Sequence, residues 1–251
     1  MKQRVQPYNL LVVVFFLMKL GPAFCQKEIR VIESNKLEQI KINDTIFQKF
    51  CGDVMIEYSD LKIQCDTIVL DEYKDHITGW GNVSFFNDTL NCSSDSIKIY
   101  QHDNNIMFYQ NSRINTDNIA INGNQIQYNF EQEIINYWSG GNVISNNNNI
   151  SSDELTYHIQ DDKFIFSRNI KLLNENFTIK TEYMTNSDSL INFLGPTLIN
   201  YENIVIECQK GNLKNSKNME IFDGLTIISD TTIIKANYLK RNKKRNYFQD
   251  N

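Results

Sequence analysis

One skeleton recurs along this chain at a fixed interval: an apolar residue, two spacers, an acidic or amide residue, a spacer, and a second apolar residue. Its copies are Ile63-Gln64-Cys65-Asp66-Thr67-Ile68-Val69-Leu70, Cys92-Ser-Ser-Asp95-Ser-Ile97-Lys-Ile99, Ile121-Asn-Gly-Asn124-Gln-Ile126-Gln-Tyr128, Ile150-Ser-Ser-Asp153-Glu-Leu155-Thr-Tyr157 and Ile179-Lys-Thr-Glu182-Tyr-Met184. The first positions are 63, 92, 121, 150 and 179, so every step is 29 residues, and spacing that constant marks a structural repeat. A fainter copy stays in register at Cys208-Gln-Lys-Gly211-Asn-Leu213, and another, Ile234-Lys-Ala-Asn237-Tyr-Leu239, is three residues out of step.

Within each copy, the positions two and four after the acidic or amide residue are mostly apolar and their neighbours mostly polar, the period of a strand with one buried face. The apolar residue three places before has the opposite parity. A straight strand cannot aim both at one core, so a bend or bulge is expected at the Asp or Asn. Short side chains that bond nearby backbone suit such corners, and this reading of Asp66, Asp95, Asn124 and Asp153 as corner residues is preferred to a ligand-binding one.

A second element alternates with the first. Phe50-Cys-Gly52-Asp53-Val54-Met-Ile56, Gly79-Trp80-Gly81-Asn82-Val83-Ser-Phe85 and Gly140-Gly141-Asn142-Val143-Ile144 match one another, with looser versions at Arg168-Asn169-Ile170 and Asp223-Gly224-Leu225. The glycine before Asn-Val is expected to supply a positive φ or a close backbone approach. Val54 and Val83 precede the next repeat start by nine residues and Val143 by seven, an even change that keeps the same side chains facing inward, as hairpins require. Each repeat therefore predicts two antiparallel strands. The fold class expected is all-β, an elongated open β-jellyroll or solenoid-like stack of roughly 29-residue repeats.

The two ends differ from this body. Lys2 and Arg4, the apolar run from Leu10 to Met18, and Gly21-Pro22-Ala23-Phe24-Cys25-Gln26 have the form of a secretory signal peptide, with cleavage expected after Cys25. The alternative keeps Cys25 as an acylated lipoprotein anchor, against which stands the bulky Phe24. The division expected is residues 1–25 as signal peptide, 26–239 as repeat domain with its best pattern over 45–190, and 240–251 as a basic tail. Export leaves Cys51, Cys65, Cys92 and Cys208 in an oxidising compartment, where four thiols allow three full pairings that sequence does not rank. Cys65 and Cys92 lie in neighbouring repeats but differ by two positions in the motif, an offset that argues against a bridge. No Cys-x-x-Cys pair occurs and the three histidines show no ligand spacing, so no metal or other cofactor is expected. The formal charge of −5 and the absence of a basic footprint argue against nucleic acid as a partner.

The motifs Gly52-Asp53-Val54, Gly81-Asn82-Val83 and Gly141-Asn142-Val143, with Asp66, Asp95 and Ser152-Asp153-Glu154-Leu155-Thr156-Tyr157, resemble the OstA-like family behind a bacterial signal peptide. That family comprises the periplasmic lipopolysaccharide-transport proteins of the LptA type and the matching N-terminal domain of the outer-membrane assembly protein. The resemblance implies an open, twisted β-jellyroll whose interior holds acyl chains. It also implies end strands that pair head to tail, so that the protein helps bridge the inner and outer membranes. Its implied partners are lipopolysaccharide or lipid A, other transport proteins joined by β-strand augmentation, and further copies of itself. Its implied location is the periplasm, in association with the outer membrane.

Strand parity assigns Ile68, Leu70, Val83, Phe85, Ile97, Ile99, Ile126, Tyr128, Leu155 and Tyr157 to the interior, and the resemblance makes this face the lipid-binding one. Lys240, Arg241, Lys243, Lys244 and Arg245 form the one dense run of charge and are read as a contact for anionic lipid or a partner. No catalytic cluster is evident, and an enzyme is not expected. The competing reading is a secreted β-solenoid structural or adhesive surface protein, which would expose aromatic residues such as Tyr58, Tyr73 and Trp80.

Overall fold

The computed structural model describes residues 29–42, 45–59, 61–71, 76–87, 89–145, 147–187, 190–214, 218–242 and 245–249. Among these every regular element is a strand. In order they are β1 (Ile29–Glu33), β2 (Lys36–Ile42), β3 (Thr45–Tyr58), β4 (Leu61–Asp71), β5 (His76–Phe86), β6 (Asn91–Tyr100), β7 (Asn105–Asn115) and β8 (Ile119–Asn129). Then come β9 (Ile134–Tyr137), β10 (Gly141–Ser145), β11 (Asn148–Ser152), β12 (Glu154–His158), β13 (Lys163–Leu173) and β14 (Phe177–Ser187). The last are β15 (Leu190–Tyr201), β16 (Ile204–Lys214), β17 (Asn218–Ser229), β18 (Thr232–Asn242) and β19 (Arg245–Gln249).

Every pairing is antiparallel, and most join consecutive strands. β1 and β2 both pair β3. β9 and β10 both pair β8, and β11 and β12 both pair β13, so each duo is one strand interrupted in the middle. Nineteen segments less three interruptions leave sixteen rows in one meander. At the usual strand spacing of ~4.8 Å, sixteen rows advance about 70 Å. The two-strands-per-repeat expectation holds: β4, β6, β8, β14, β16 and β18 each carry one copy of the acidic skeleton, and the broken row β11–β12 carries another. A parallel solenoid is excluded by the ladder itself.

The long strands do not run straight. Register shifts fall at Cys51/Val54, Gln64/Thr67, Trp80/Val83 and Ser93/Ser96, and continue through Tyr109/Ser112 to Phe222/Leu225, so a line of bulges crosses the sheet near mid-strand. This line folds the sheet into two arms, and the core lies between them. The parity switch read from sequence is its cause: in β4, Ile63 and Cys65 face inward before the bend, and Ile68 after it. On the alternate strands the bend is made by two successive left-handed residues, Gly52 and Asp53 with φ 79° and 47°, Gly81 and Asn82 with 80° and 47°, Gln110 and Asn111 with 61° and 48°. Glycine and Asn/Asp enter that region at least cost.

The glycine expectation holds at Gly52 and Gly81. In the third copy the positive φ, 83°, sits on Gly140, while Gly141 is needed for close approach, since a Cβ there would stand 2.5 Å from the Asn122 carbonyl oxygen. The stretch from 240 onward does not leave the sheet as a tail. β18 runs through Asn242 and β19 adds a further strand, because the alternation continues through Leu239, Arg241 and Phe248. The signal-peptide reading and the cleavage or anchoring of Cys25 lie outside the described residues.

Candidate functional site

Directly opposed residues on paired strands share a face, so following partners from strand to strand traces columns along the inside of each arm. In the first arm one column starts at Leu37 and passes Phe50, Ile68, Gly79, Ile97, Phe108 and Ile126. It continues through Tyr137, Leu155, Phe166 and Met184, then Phe193, Gly211, Ile221 and Leu239, and ends at Phe248. No charged or amide side chain interrupts it. Everything between the ends is buried, whereas Leu37 is 55% exposed and Phe248 45%, because each end row has no neighbour beyond it among the described residues.

The second arm carries a matching column, Val31, Ile56, Ile63, Phe85, Cys92, Ile114 and Ile121, then Val143, Ile150, Leu172, Ile179, Ile199, Ile206, Ile227 and Ile234. A third, beside the first, contains Leu70, Ile77, Ile99, Ile106, Tyr128, Ile135, Tyr157 and Phe164, but starts at Gln39 and Gln48 on one side and passes Asn186 and Arg241 toward the other. All ten residues assigned to the interior face lie on these inner surfaces, nine buried and Leu70 packed partly buried against the core.

The arms meet again at their hairpin tips. Tyr58 at the tip of one arm stands edge-on to Phe130 at the tip of the other, with ring centroids 5.8 Å apart, and Phe85 meets Tyr128 at 6.0 Å. Near the C-terminal end, the Arg241 guanidinium lies 4.7 Å from the centroid of the Tyr201 ring, a cation–π contact between arms. These contacts join the two arms at three places, two near the N-terminal rows and one near the C-terminal rows.

Buried hydroxyls are mostly paired. Tyr137 Oη lies 2.7 Å from Ser152 Oγ, Thr181 pairs with Thr197 at 2.9 Å, and Tyr157 donates to Asp162 Oδ1 at 3.0 Å. Burial pushes the Tyr137 hydroxyl up to about 12, partly opposed by the Ser152 bond. Burial also pushes the Cys65 thiol up to about 11 and Cys208 to about 12, and raises Cys92 further. Among the described residues, Cys51, Cys65, Cys92 and Cys208 are free thiols, and Cys65 donates to the Thr67 carbonyl at 3.2 Å.

The corner carboxylates form pairs. Asn82 donates to Asp66 at 3.1 Å, Asn111 to Asp95 at 2.8 Å and Asn169 to Asp153 at 2.7 Å, so the corner role read for these aspartates holds. A cavity of about 660 Å³ opens along this line, where the register partners Lys171 and Lys180 stand beside Glu182 and Glu207.

The basic run divides. Lys240 is held by Glu220 at 2.6 Å, Arg241 turns inward, Lys243 and Lys244 lie outside the described residues, and Arg245 enters β19. Of the aromatics expected on an adhesive face, Trp80 is 40% exposed, Tyr58 is fully buried, and Tyr73 lies outside the described residues. Tyr58 belongs inward because its cross-strand partners, Ile29 and Leu61, do. Sequence reading also missed Leu37, Phe166, Phe193 and Phe248, which follow if the alternation is carried strand by strand beyond the acidic copies.

The profile of the OstA-like protein family matches residues 26–182, more than half of the chain. Among solved structures, LptH from Pseudomonas aeruginosa, the LptA-homologous periplasmic component of the lipopolysaccharide transport device, is similar at 16% identity. The likeness covers 43% of this chain and 80% of that one, with a TM-score of 0.39. None of the curated proteins matches.

Proposed function

The chain belongs to the OstA-like family of periplasmic lipopolysaccharide-transport proteins, and from that premise we propose that its interior shields the acyl chains of lipopolysaccharide during passage between the membranes. The observation that carries this reading is the first-arm column, apolar from Leu37 to Phe248 and exposed only at its ends. Hydrocarbon leaves water favourably at ~25 cal/mol per Å² buried, and an amphiphile needs its chains covered while its headgroup stays wet. A run of apolar rows without a polar step supports passage in stages from one end to the other.

Loading requires the arms to part at the tips. The aromatic contacts there are worth about 0.5–1.5 kcal/mol each beyond the area they bury, which makes the seam the weakest line of the interior. Headgroup phosphates would meet Arg241 at the C-terminal mouth, where the guanidinium already lies against Tyr201. The edge rows of the described sheet, β1 with β2 at one end and β19 at the other, would add strands of transport partners or of further copies. This is a binding and conduit role with no chemical step.

Photocrosslinkers placed at Ile97 and Ile126, one at a time, test the reading. Lipid A should be captured from both positions and not from outward-facing Lys98. No capture from either interior position would defeat it.

A further inference from the structure

Tyr58 is fully buried, and its hydroxyl is the one buried side-chain nitrogen or oxygen among the described residues without a hydrogen-bond partner. Tyr137 and Tyr157, inward tyrosines further along, have theirs in Ser152 and Asp162. An unpartnered hydroxyl in an apolar interior is unfavourable, and phenylalanine would fill the same space without that cost. The ring stands at 89° to Phe130 on the seam between the arms, and its β1 partner Ile29 belongs to the N-terminal edge row. Tyr58 therefore sits one row inside the N-terminal mouth, beside the contact that must part for a chain to enter.

We propose that the Tyr58 hydroxyl donates a hydrogen bond to the carbonyl oxygen of the ester or amide that joins an acyl chain to its headgroup. One strand row is about 4.8 Å deep. An amphiphile whose headgroup stays in water at the mouth, with its chain laid along the columns, carries that carbonyl within its first few bonds, at the depth of Tyr58. The hydrocarbon beyond it offers no acceptor, so the hydroxyl distinguishes an acylated amphiphile from a plain alkyl chain. The inference rests on the acyl-chain reading above and adds to it a residue that selects among chains.

Two probes separate the alternatives: sucrose monododecanoate, which carries an ester carbonyl, and dodecyl maltoside, which has the same chain length on a disaccharide without one. Binding of each, below its micelle concentration, is measured for the wild type and for Tyr58→Phe, and urea unfolding of both proteins is followed without ligand. The expected result is roughly tenfold weaker binding of the ester by Tyr58→Phe, unchanged binding of the maltoside, and resistance to urea at least equal to the wild type. Equal ester binding by the two proteins would overturn the proposal. So would an equal loss for both probes, which would make the hydroxyl a packing element only. A wild type that binds neither probe would instead bring down the acyl-chain reading itself.

Discussion

Asn111 donates a hydrogen bond from Nδ2 to Oδ2 of Asp95 at 2.8 Å, tying adjacent strands together where both bend. The two residues are sixteen apart in sequence, as are Asn82 and Asp66, and Asn169 and Asp153. Three copies of the repeat thus supply the carboxylate for the amide of the strand that follows.

Replacing Asn111 by alanine should cost about 1–2 kcal/mol, because it puts a non-glycine side chain without local hydrogen bonding at φ 48° and frees Asp95 of its partner. Asn111→Gly should recover most of the backbone part. Urea denaturation curves for the two variants check this, and equal losses would contradict the conformational account.

Phe108 is fully buried and packs edge-on against Phe85 across the two arms at 5.7 Å. Truncation to alanine should destabilise by about 3–5 kcal/mol. Trp138→Ala, at a residue 48% exposed on the outer surface, should stay within about 0.5 kcal/mol. Equilibrium unfolding of both proteins decides whether the core or the outer aromatics hold the arms together.

Alkaline pH should weaken the fold. Cys65 and Cys208 are raised from the ordinary thiol value near 9 to about 11 and about 12, and Tyr137 from near 10 to about 12. The unfolded chain therefore releases these protons first. Stability from this source is complete below about pH 9 and is lost as pH rises from there through the folded values. Melting temperatures measured upward from about pH 7 should fall beyond about pH 9, and Cys65→Ala should shallow the fall.

Thiol labelling should separate the cysteines. The thiolate is the reacting form, so the buried Cys65, Cys92 and Cys208, all raised by desolvation, should react only on unfolding. Cys51 is partly exposed and should react in the folded protein. Mass spectrometry of the form beginning at Gln26, with and without denaturant, gives the order.

The two end rows should promote concentration-dependent head-to-tail association. Leu37 and Phe248 extend the same column into solvent at opposite ends, and residues 232–237 of β18 have no described neighbour on the β19 side. Leu37→Lys should lower the association constant about tenfold or more, read by sedimentation. A wild-type monomer at high concentration and high salt would leave pairing with a different protein as the use of these edges.

Residue order alone determined the repeat, the strand pairs and the bend. A 29-residue period, a two-residue alternation and a parity change at Asp66, Asp95 and Asp153 are local properties, carried by backbone geometry and short side chains. They placed Ile68, Ile97 and Leu155 inward and read the aspartates as corners. The closing of the arms was decided only in three dimensions. Tyr58 and Phe130 are 72 positions apart by their numbering and meet because two differently placed hairpins end on the same seam, which no local pattern records. The same holds for Arg241, which read as part of a basic tail contacting anionic lipid or a partner. Strand pairing carried it one row further and turned its guanidinium inward onto Tyr201, because the side a residue faces is set by the register of its neighbours and not by its own charge.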